Sequence, residues 1–493
     1  MGIIHLPVYI MALTLVLGVV LTVFKIKHIN TSKPFILFSL ITSWFLCLTL
    51  FINVINNGSY EYNFGKWREE IGIQFSIDSF SSFMALLIAT LICLATIYSF
   101  KTLAHEIEKK QILRYYGLIF ILMFSMLGIT FSNDLFNMYV FMEILSIVSC
   151  AIISIKNTKE TYVASFRYMI FSTIGSVCIL LGIAFLYMVI GYLNINMIRE
   201  NILLAWDAYP LNIIISLGLI VTGFFIKTAL FPLHIWLPDA HSSAPSSSSA
   251  LLSALVLKVY IFSGLKFFLK AIDPSIVSEM KLSFLFTLLA LAGIIAGSVF
   301  ALFQKDLKRL LSYSTIAHIG YIFLGIALFT ERGLSASLFH IVSHSLMKCA
   351  LFLSVGAIIY KTGKRYTGQL NGIGYEMPIT MLVFSISALG MIGIPGVNGF
   401  ISKLYLSLAL LEENQVLSVV VLMFASFMSL FYYIPIISAA YLKKNREHEN
   451  IMAMDKLHPA IIIPMVLLAV ACIITGLFPQ LLMNVIEKTI VAY

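Results

Sequence analysis

Charge is what this sequence has least of. Asp, Glu, Lys and Arg make up 11% of its 493 residues, while 60% are hydrophobic and the mean hydropathy is +0.98. A soluble fold could not hide that much apolar surface, so the chain is read as a polytopic membrane protein. Cysteine is scarce as well. Cys47, Cys93, Cys150, Cys178, Cys349 and Cys472 are scattered, nearly all in apolar runs, with no CxxC pair. That argues against iron–sulfur and zinc frameworks. No Rossmann or P-loop glycine pattern occurs, so no nucleotide site is expected. No cofactor, no metal ion and no catalytic redox centre is predicted for this chain. The net charge of +9 is not a nucleic-acid footprint, because basic residues of membrane proteins collect in cytoplasmic loops. The first apolar stretch lacks a basic flank and a small-residue cleavage site. It is read as a retained helix rather than a signal peptide.

What is abundant is apolar sequence of spanning length. Fourteen stretches approach the ~20 residues a bilayer requires. They lie near 3–24, 35–55, 79–100, 114–132, 134–154, 163–193, 211–231, 246–269, 282–303, 309–329, 334–360, 378–411, 415–441 and 460–482. If the N-terminus lies outside, 19 of the 32 Lys and Arg fall in or beside cytoplasmic loops and 8 beside outer loops. The bias predicts both termini outside. The segment 56–78 is too polar to span and is expected to form a small outer cap. The residues after Pro479 read as a short amphipathic end.

Two spans are interrupted. Residues 223–258 read GFFIKTALFPLHIWLPDAHSSAPSSSSALLSALVLK, with Lys227 ahead of Phe231-Pro232 and Lys258 in the apolar run that follows. Proline lacks a backbone donor and clashes with the preceding turn, so the helix must break there. The span 378–411 is interrupted at Gly393-Ile394-Pro395-Gly396 and at Gly399, with Lys403 just beyond. Irregular backbone at membrane depth is tolerated only under cover of protein or beside a cavity. Interrupted segments at corresponding places in two halves point to an inverted repeat around an ion site. The fold class expected is therefore all-α and polytopic, with about fourteen transmembrane helices and two inverted five-helix repeats, each with a broken helix. The division predicted is 1–110 peripheral, 111–270 first repeat, 271–445 second repeat and 446–493 peripheral.

The few charges inside spans are the candidate site, since intramembrane ionisable groups usually mark ion paths. Glu143 sits mid-span and is paired in this reading with Lys227. The bland alternative is a neutral glutamate hydrogen-bonded to a neighbouring helix. Lys258 follows on the next helical element. His234 and His241 flank the break, and either could hydrogen-bond exposed carbonyls instead of passing protons. His318 alone would be an ordinary buried histidine. His340, His344 and Lys348 are spaced i, i+4, i+8 on one helical face, a row of ~12 Å that could carry protons through intervening water. A metal held by the two histidines lacks a third ligand and would be repelled by Lys348. Lys403 is either a snorkelling lysine or a gate. Arg167, Asp134 and Asp239 lie nearer span ends and read as structural.

From about Leu113 to Leu442 the chain resembles the antiporter-like family of proton-conducting membrane subunits. That family includes the D-type component of Mrp-type cation/proton antiporters and the large membrane subunits of respiratory complex I and membrane-bound hydrogenases. DLFNMYVFME, KTALFPLHIWLPDAH, KRLLSYSTIAHIGYI, FHIVSHSLMKCALFL and PGVNGFISK carry the resemblance, in that order. It implies that Glu143 and Lys227 are the proton-pumping pair, that Lys258, His318, His340, His344 and Lys348 form a central hydrophilic axis, and that Lys403 is the terminal residue. Lysine rather than glutamate at that position, with DLFNMYVF, leans toward the Mrp D type. The short C-terminus argues against members with a long lateral helix, and SSAPSSSS departs from a more alanine- and threonine-rich family version. The implied partners are other membrane subunits, further antiporter-like subunits among them, in a cell membrane. Protons are the implied cargo, with sodium in the antiporters. The alternatives are the equivalent subunit of a complex I-like or hydrogenase oxidoreductase, a quinone-binding membrane subunit, and a purely structural anchor.

Overall fold

The computed structural model describes residues 3–23, 29–70, 72–442, 455 and 457–490. Both chain ends and six residues of the basic bias (Lys25, Lys27, Lys443, Lys444, Arg446 and Lys456) lie outside the described residues. The described chain is helical apart from one hairpin. In order it forms α1 (Leu6–Val23), α2 (Ile29–Asn57), β1 (Tyr60–Asn63), β2 (Gln74–Ile77), α3 (Ser79–Glu106), α4 (Ile112–Phe131), α5 (Leu135–Ser154) and α6 (Lys159–Ile190). Then come α7 (Ile195–Ala208), α8 (Pro210–Thr228), α9 (Leu237–Ser243), α10 (Ser246–Leu251), α11 (Leu257–Ala271), α12 (Pro274–Glu279), α13 (Leu282–Leu302) and α14 (Leu307–Ile326). The chain continues through α15 (Glu331–Thr362), α16 (Ile373–Glu376), α17 (Pro378–Ile392), α18 (Asn398–Glu412), α19 (Val416–Leu442), α20 (Pro459–Leu477) and α21 (Gln480–Ile490). Among the described residues, 12 helices are long and apolar enough to cross a membrane, the α10–α11 run counting as one. α14 is as long at 20 residues but carries Lys308, Arg309 and His318. α17 and α18, 15 residues each, make a broken pair. The fourteen stretches expected from hydropathy are thus all helical, and the protein is an all-α multi-pass membrane protein.

Polar contacts sort the loops onto two faces. On one face Asn133 and Asn194 donate to Gln74 Oε1 at 2.7 and 2.9 Å, Lys270 meets Asp78 at 3.2 Å, and Arg199 donates to the Ile272 carbonyl at 2.7 Å. On the other, Ser246 N–H donates to Glu106, Lys308 to the Ala244 carbonyl at 3.0 Å, and Arg365 to Asp306 and the Ser242 carbonyl. The polar segment 56–78 lies on the first face. Its order comes from an antiparallel hairpin, with Tyr60 opposite Ile77 and Asn63 opposite Gln74, rather than from helix. Amphipathic α7 covers the same face. Its Ile195, Ile198, Ile202 and Ala205 form one buried stripe. Neither element crosses, so hydropathy alone does not reveal them.

The helix starts follow local chemistry. Asp78 and Thr158 close capping boxes with Ser81 and Thr161, and Asp134 accepts from Asn137 N–H at 2.7 Å. The second interruption shows why glycine is needed. Gly393 and Gly396 both have φ +95°, and a Cβ on Gly399 would lie 1.8 Å from the Gly390 carbonyl oxygen. Only a bare backbone allows the start of α18 to seat against the end of α17. At the centre stands α15, 32 residues long and buried along nearly its whole length.

Candidate functional site

Each buried lysine meets backbone or side-chain oxygens. α8 stops at Thr228 inside the protein, with Ala229 left-handed at φ +55° and Trp236 Nε1 donating to the Ile226 carbonyl at 3.1 Å. Lys227 is in that last turn. Its side chain is fully buried and its Nζ donates to Glu143 Oε1 at 3.2 Å, Ser146 Oγ at 2.8 Å and Ser172 Oγ at 3.3 Å. The Tyr260 ring lies 5.5 Å away, and its hydroxyl bonds Ser146 at 2.9 Å. Glu143 also accepts from Ser176 on α6. Its side chain is 30% exposed, on the outer side of α5. The Glu143 carboxyl thus faces both the Lys227 amine and the Ser176 hydroxyl.

α10 passes into α11 through a π-helical turn, Leu252–Val256, for which no local sequence signal exists. Lys258 Nζ turns back onto the Ser253 carbonyl of that turn. Ser253 Oγ meets Thr315 on α14 at 3.1 Å. No hydrogen bond joins Lys258 to a histidine among the described residues.

The histidines do come together. His318 Nδ1 and His340 Nε2 are 3.0 Å apart, and their rings are nearly parallel at 10°. His344 stacks on His318 at 5.0 Å, and neither of its ring nitrogens meets a partner. His340 Nδ1 reaches Ser402 Oγ at 2.9 Å, which links α15 to α18. Stacked imidazoles with one nitrogen-to-nitrogen contact suit handing a proton on, not converging on one ion. Lys348 donates to the Leu311 carbonyl at 2.8 Å and to Ser314, and Ser314 bonds Tyr433 at 3.0 Å.

Lys403 does not snorkel. Its Nζ caps the end of α17, donating to the Met391 and Ile392 carbonyls at 2.8 and 2.9 Å and to Ser426 Oγ at 2.9 Å. His234 lies in the first break, stacked between Phe231 and Phe300, with Nδ1 unpartnered. It makes no polar contact with the histidine group among the described residues. His241 on α9 is fully buried beside Phe352, and neither ring nitrogen finds a partner. It does not bond the carbonyls of the break. Asp239 joins Arg167 and Arg309.

Two lysines that the sequence places at loop edges are buried, Lys266 and Lys308, the latter 3% exposed. Position along the chain places Lys266 at an outer loop edge, but it is 1% exposed on α11. Its Nζ donates to the Thr130 and Phe131 carbonyls at 3.2 and 3.3 Å, the free carbonyls at the end of α4. Its place near a span end hides it, because the hairpin and its neighbours cover that end. The only local signal is its spacing of eight residues from Lys258.

Residues 132–429 match the family described as NADH:quinone oxidoreductase/Mrp antiporter, TM. The chain belongs to this family. Relatives within it span nearly the whole length of the protein. It is 32% identical to the N subunit of the NADH-quinone oxidoreductase of Desulforudis audaxviator, over 98% of each chain. It is 29% identical to the D subunit of the Na(+)/H(+) antiporter of Alkalihalophilus pseudofirmus, over 91% of this chain and 89% of that one. Among solved structures, a chain of the archaeal membrane-bound sulfane sulfur reductase superposes with a TM-score of 0.91 at 29% identity, covering 99% of this chain and 97% of that one. A chain of the Mrp complex of Dietzia sp. superposes at 0.89 with 22% identity, over 99% and 97%, which shows a shared fold.

Removing the Lys403 amine leaves two carbonyls at the end of α17 without their donor. Lys403→Met is expected to lower stability by about 1–3 kcal/mol, read as a fall in the thermal unfolding midpoint of the purified protein. Lys403→Arg should retain most of it. An unchanged midpoint in the methionine variant would show that the cap contributes nothing.

Proposed function

We propose that this protein is a proton-translocating, antiporter-like subunit of a multisubunit membrane complex, most like the D-type component of an Mrp-type sodium/proton antiporter. The observation that carries the reading is the Lys227 amine, fully buried at a helix end inside the protein and 3.2 Å from a carboxylate that is itself 30% exposed. An amine in that position holds its proton only as firmly as its partner allows. A subunit packed against α5 would meet Glu143, so that charge arriving there shifts the proton on Lys227. In this reading Lys258, His318, His340, His344 and Lys348 relay the proton with the help of water. Lys403 ends the row, and His234 serves the first break. No cofactor or bound metal takes part.

Two further readings rest on the same arrangement. Residues 111–270 and 271–445 are two inverted repeats, with 1–110 and 446–493 peripheral. In support, α4 and α13 start on opposite faces, and the fourth span of each set of five is the broken one. Both termini lie outside a cell membrane, the hairpin face being external. The basic bias supports this, with Lys266 moved from the outer loops to the interior and Lys308 likewise from the cytoplasmic ones. A cysteine placed at either terminus is expected to react with an impermeant maleimide in intact cells. Protection of both would reverse the orientation.

The 32% identity to the N subunit of a NADH-quinone oxidoreductase favours a second reading, in which redox chemistry in neighbouring subunits drives the same proton steps. Affinity purification with mass spectrometry separates the two. Cation/proton antiporter subunits are expected to co-purify, and flavin- or iron–sulfur-bearing neighbours would select the redox-driven assembly.

The pair itself is tested by a double-mutant cycle. Removing one member of a buried ion pair costs about 3–5 kcal/mol. Glu143→Gln and Lys227→Ala are each expected to abolish coupled proton transport in membrane vesicles, at matched subunit abundance. The double variant should be no worse than either single one, as for residues acting as a unit. Partial losses that multiply in the double variant would show independent residues and end the pair mechanism.

A further inference from the structure

The break after α8 leaves a gap that short α9 only partly fills. On the face opposite the hairpin, α9 lies between α6 and α14, and a cavity of about 840 Å³ opens there. Five cations line it, Lys156, Lys159, Arg167, Arg309 and Arg365. Three carboxylates face them, Glu160, Asp239 and Asp306. Asp239 is shared between Arg167 and Arg309, Asp306 is taken by Arg365, and Lys156 reaches outside the lining to Glu106 at 2.8 Å. The guanidiniums are not sealed by these pairs. Their side chains remain 54% exposed at Arg167, 43% at Arg309 and 42% at Arg365.

The elements that border the cavity also expose apolar side chains. Val163 and Ile170 flank Arg167 on the exposed side of α6, at 45% and 41%. Ile235 in the break and Phe300 and Phe303 at the end of α13 are exposed as well. A positive cup at the end of the spanning helices, with exposed apolar side chains on α6, in the break and at the end of α13, matches one kind of molecule. It needs a phosphate at one end and acyl chains at the other.

We propose that this cavity binds the headgroup of an anionic phospholipid, with the phosphate on Arg167 and Arg309 and the acyl chains along α6 and the break. Basic pockets between transmembrane helices take such headgroups through charge-assisted hydrogen bonds, and guanidinium forks match phosphate geometry. The site is independent of the proton reading, since none of the proposed relay residues lines it. Its consequence is local. A phosphate shared by Arg167 and Arg309 adds a second bridge between α6 and α14 across the broken helix, beside the Asp239 carboxylate that both already meet.

The test titrates the intact complex, purified in detergent, with phosphatidylglycerol, phosphatidylcholine and inorganic phosphate, with bound lipid counted by native mass spectrometry. Phosphatidylglycerol is expected to be retained in preference to phosphatidylcholine. Lys159→Gln combined with Arg167→Gln should weaken its retention by at least about tenfold and leave phosphatidylcholine unchanged. Arg167→Lys, which keeps the charge, should lose less. Should the double variant fail to assemble, a photoreactive phosphatidylglycerol incorporated into the native complex supplies the reading without mutation. Labels on 162–170 and 232–236 are expected. Equal retention of both lipids, unchanged retention in the double variant, or labels elsewhere would overturn the site. Displacement of phosphatidylglycerol by millimolar phosphate would make the occupant a soluble anion and overturn the lipid.

Discussion

The interior of this protein is shaped by the difficulty of keeping an ammonium group away from water. Hydrocarbon offers it nothing, and a regular helix offers little, because the carbonyls are already taken by the next turn. Oxygens come free where a helix ends, widens or breaks, and most of the buried lysines stand at such places. Lys266 uses the end of α4, Lys258 the π turn, and Lys403 the end of α17. Lys348 alone of this group takes a carbonyl from within a continuous helix, Leu311, with the hydroxyl of Ser314 beside it. Irregular backbone is therefore part of how the charge is solvated, and the glycines that permit it at 393, 396 and 399 belong to the same arrangement.

Against that background Lys227 differs. Among the described residues it is the lysine, of those deep in the spans, whose amine meets a carboxylate. The two interruptions are alike in outline and unlike in chemistry. In the first, the carbonyl of Ile226 is served by Trp236, which leaves the lysine before the break free to address Glu143 and two serines. In the second, the lysine after the break is spent on the carbonyls themselves. A neutral indole does at the first break what a cation does at the second.

Much of this is legible in the sequence, for physical reasons. Spans, interruptions and intramembrane charges are local signals, set by hydropathy, by proline and glycine, and by single residues out of place. Glu143, Lys227, His340, His344 and Lys348 announce themselves that way. What stays hidden depends on contacts between distant elements. The packing of His318 against the α15 pair comes only through resemblance, because nothing within α14 marks the residue. Lys266 looks like an interfacial lysine because it lies one turn from Lys270 and near a span end. The hairpin and α7 carry no spanning signal, and the π turn is written in ordinary helix-forming residues. The lysine beyond the second break is visible, but its direction is not, since a snorkelling and a capping lysine share the same sequence.

The burial of α15 and of the α10–α11 run also bears on how the protein is made. These two are wholly enclosed by other helices, and they are the least apolar of the twelve spanning segments. They carry the buried Lys258, Lys266, His340, His344 and Lys348. A central lysine costs about 2.5–3.5 kcal/mol when a helix enters the membrane, so such segments partition poorly by themselves. Both must be accepted during synthesis by helices already threaded into the bilayer, and α15 must then wait for α17 to α20 to enclose it. Insertion of this chain is a collective event, in which the segments richest in buried lysine and histidine are the last to become secure.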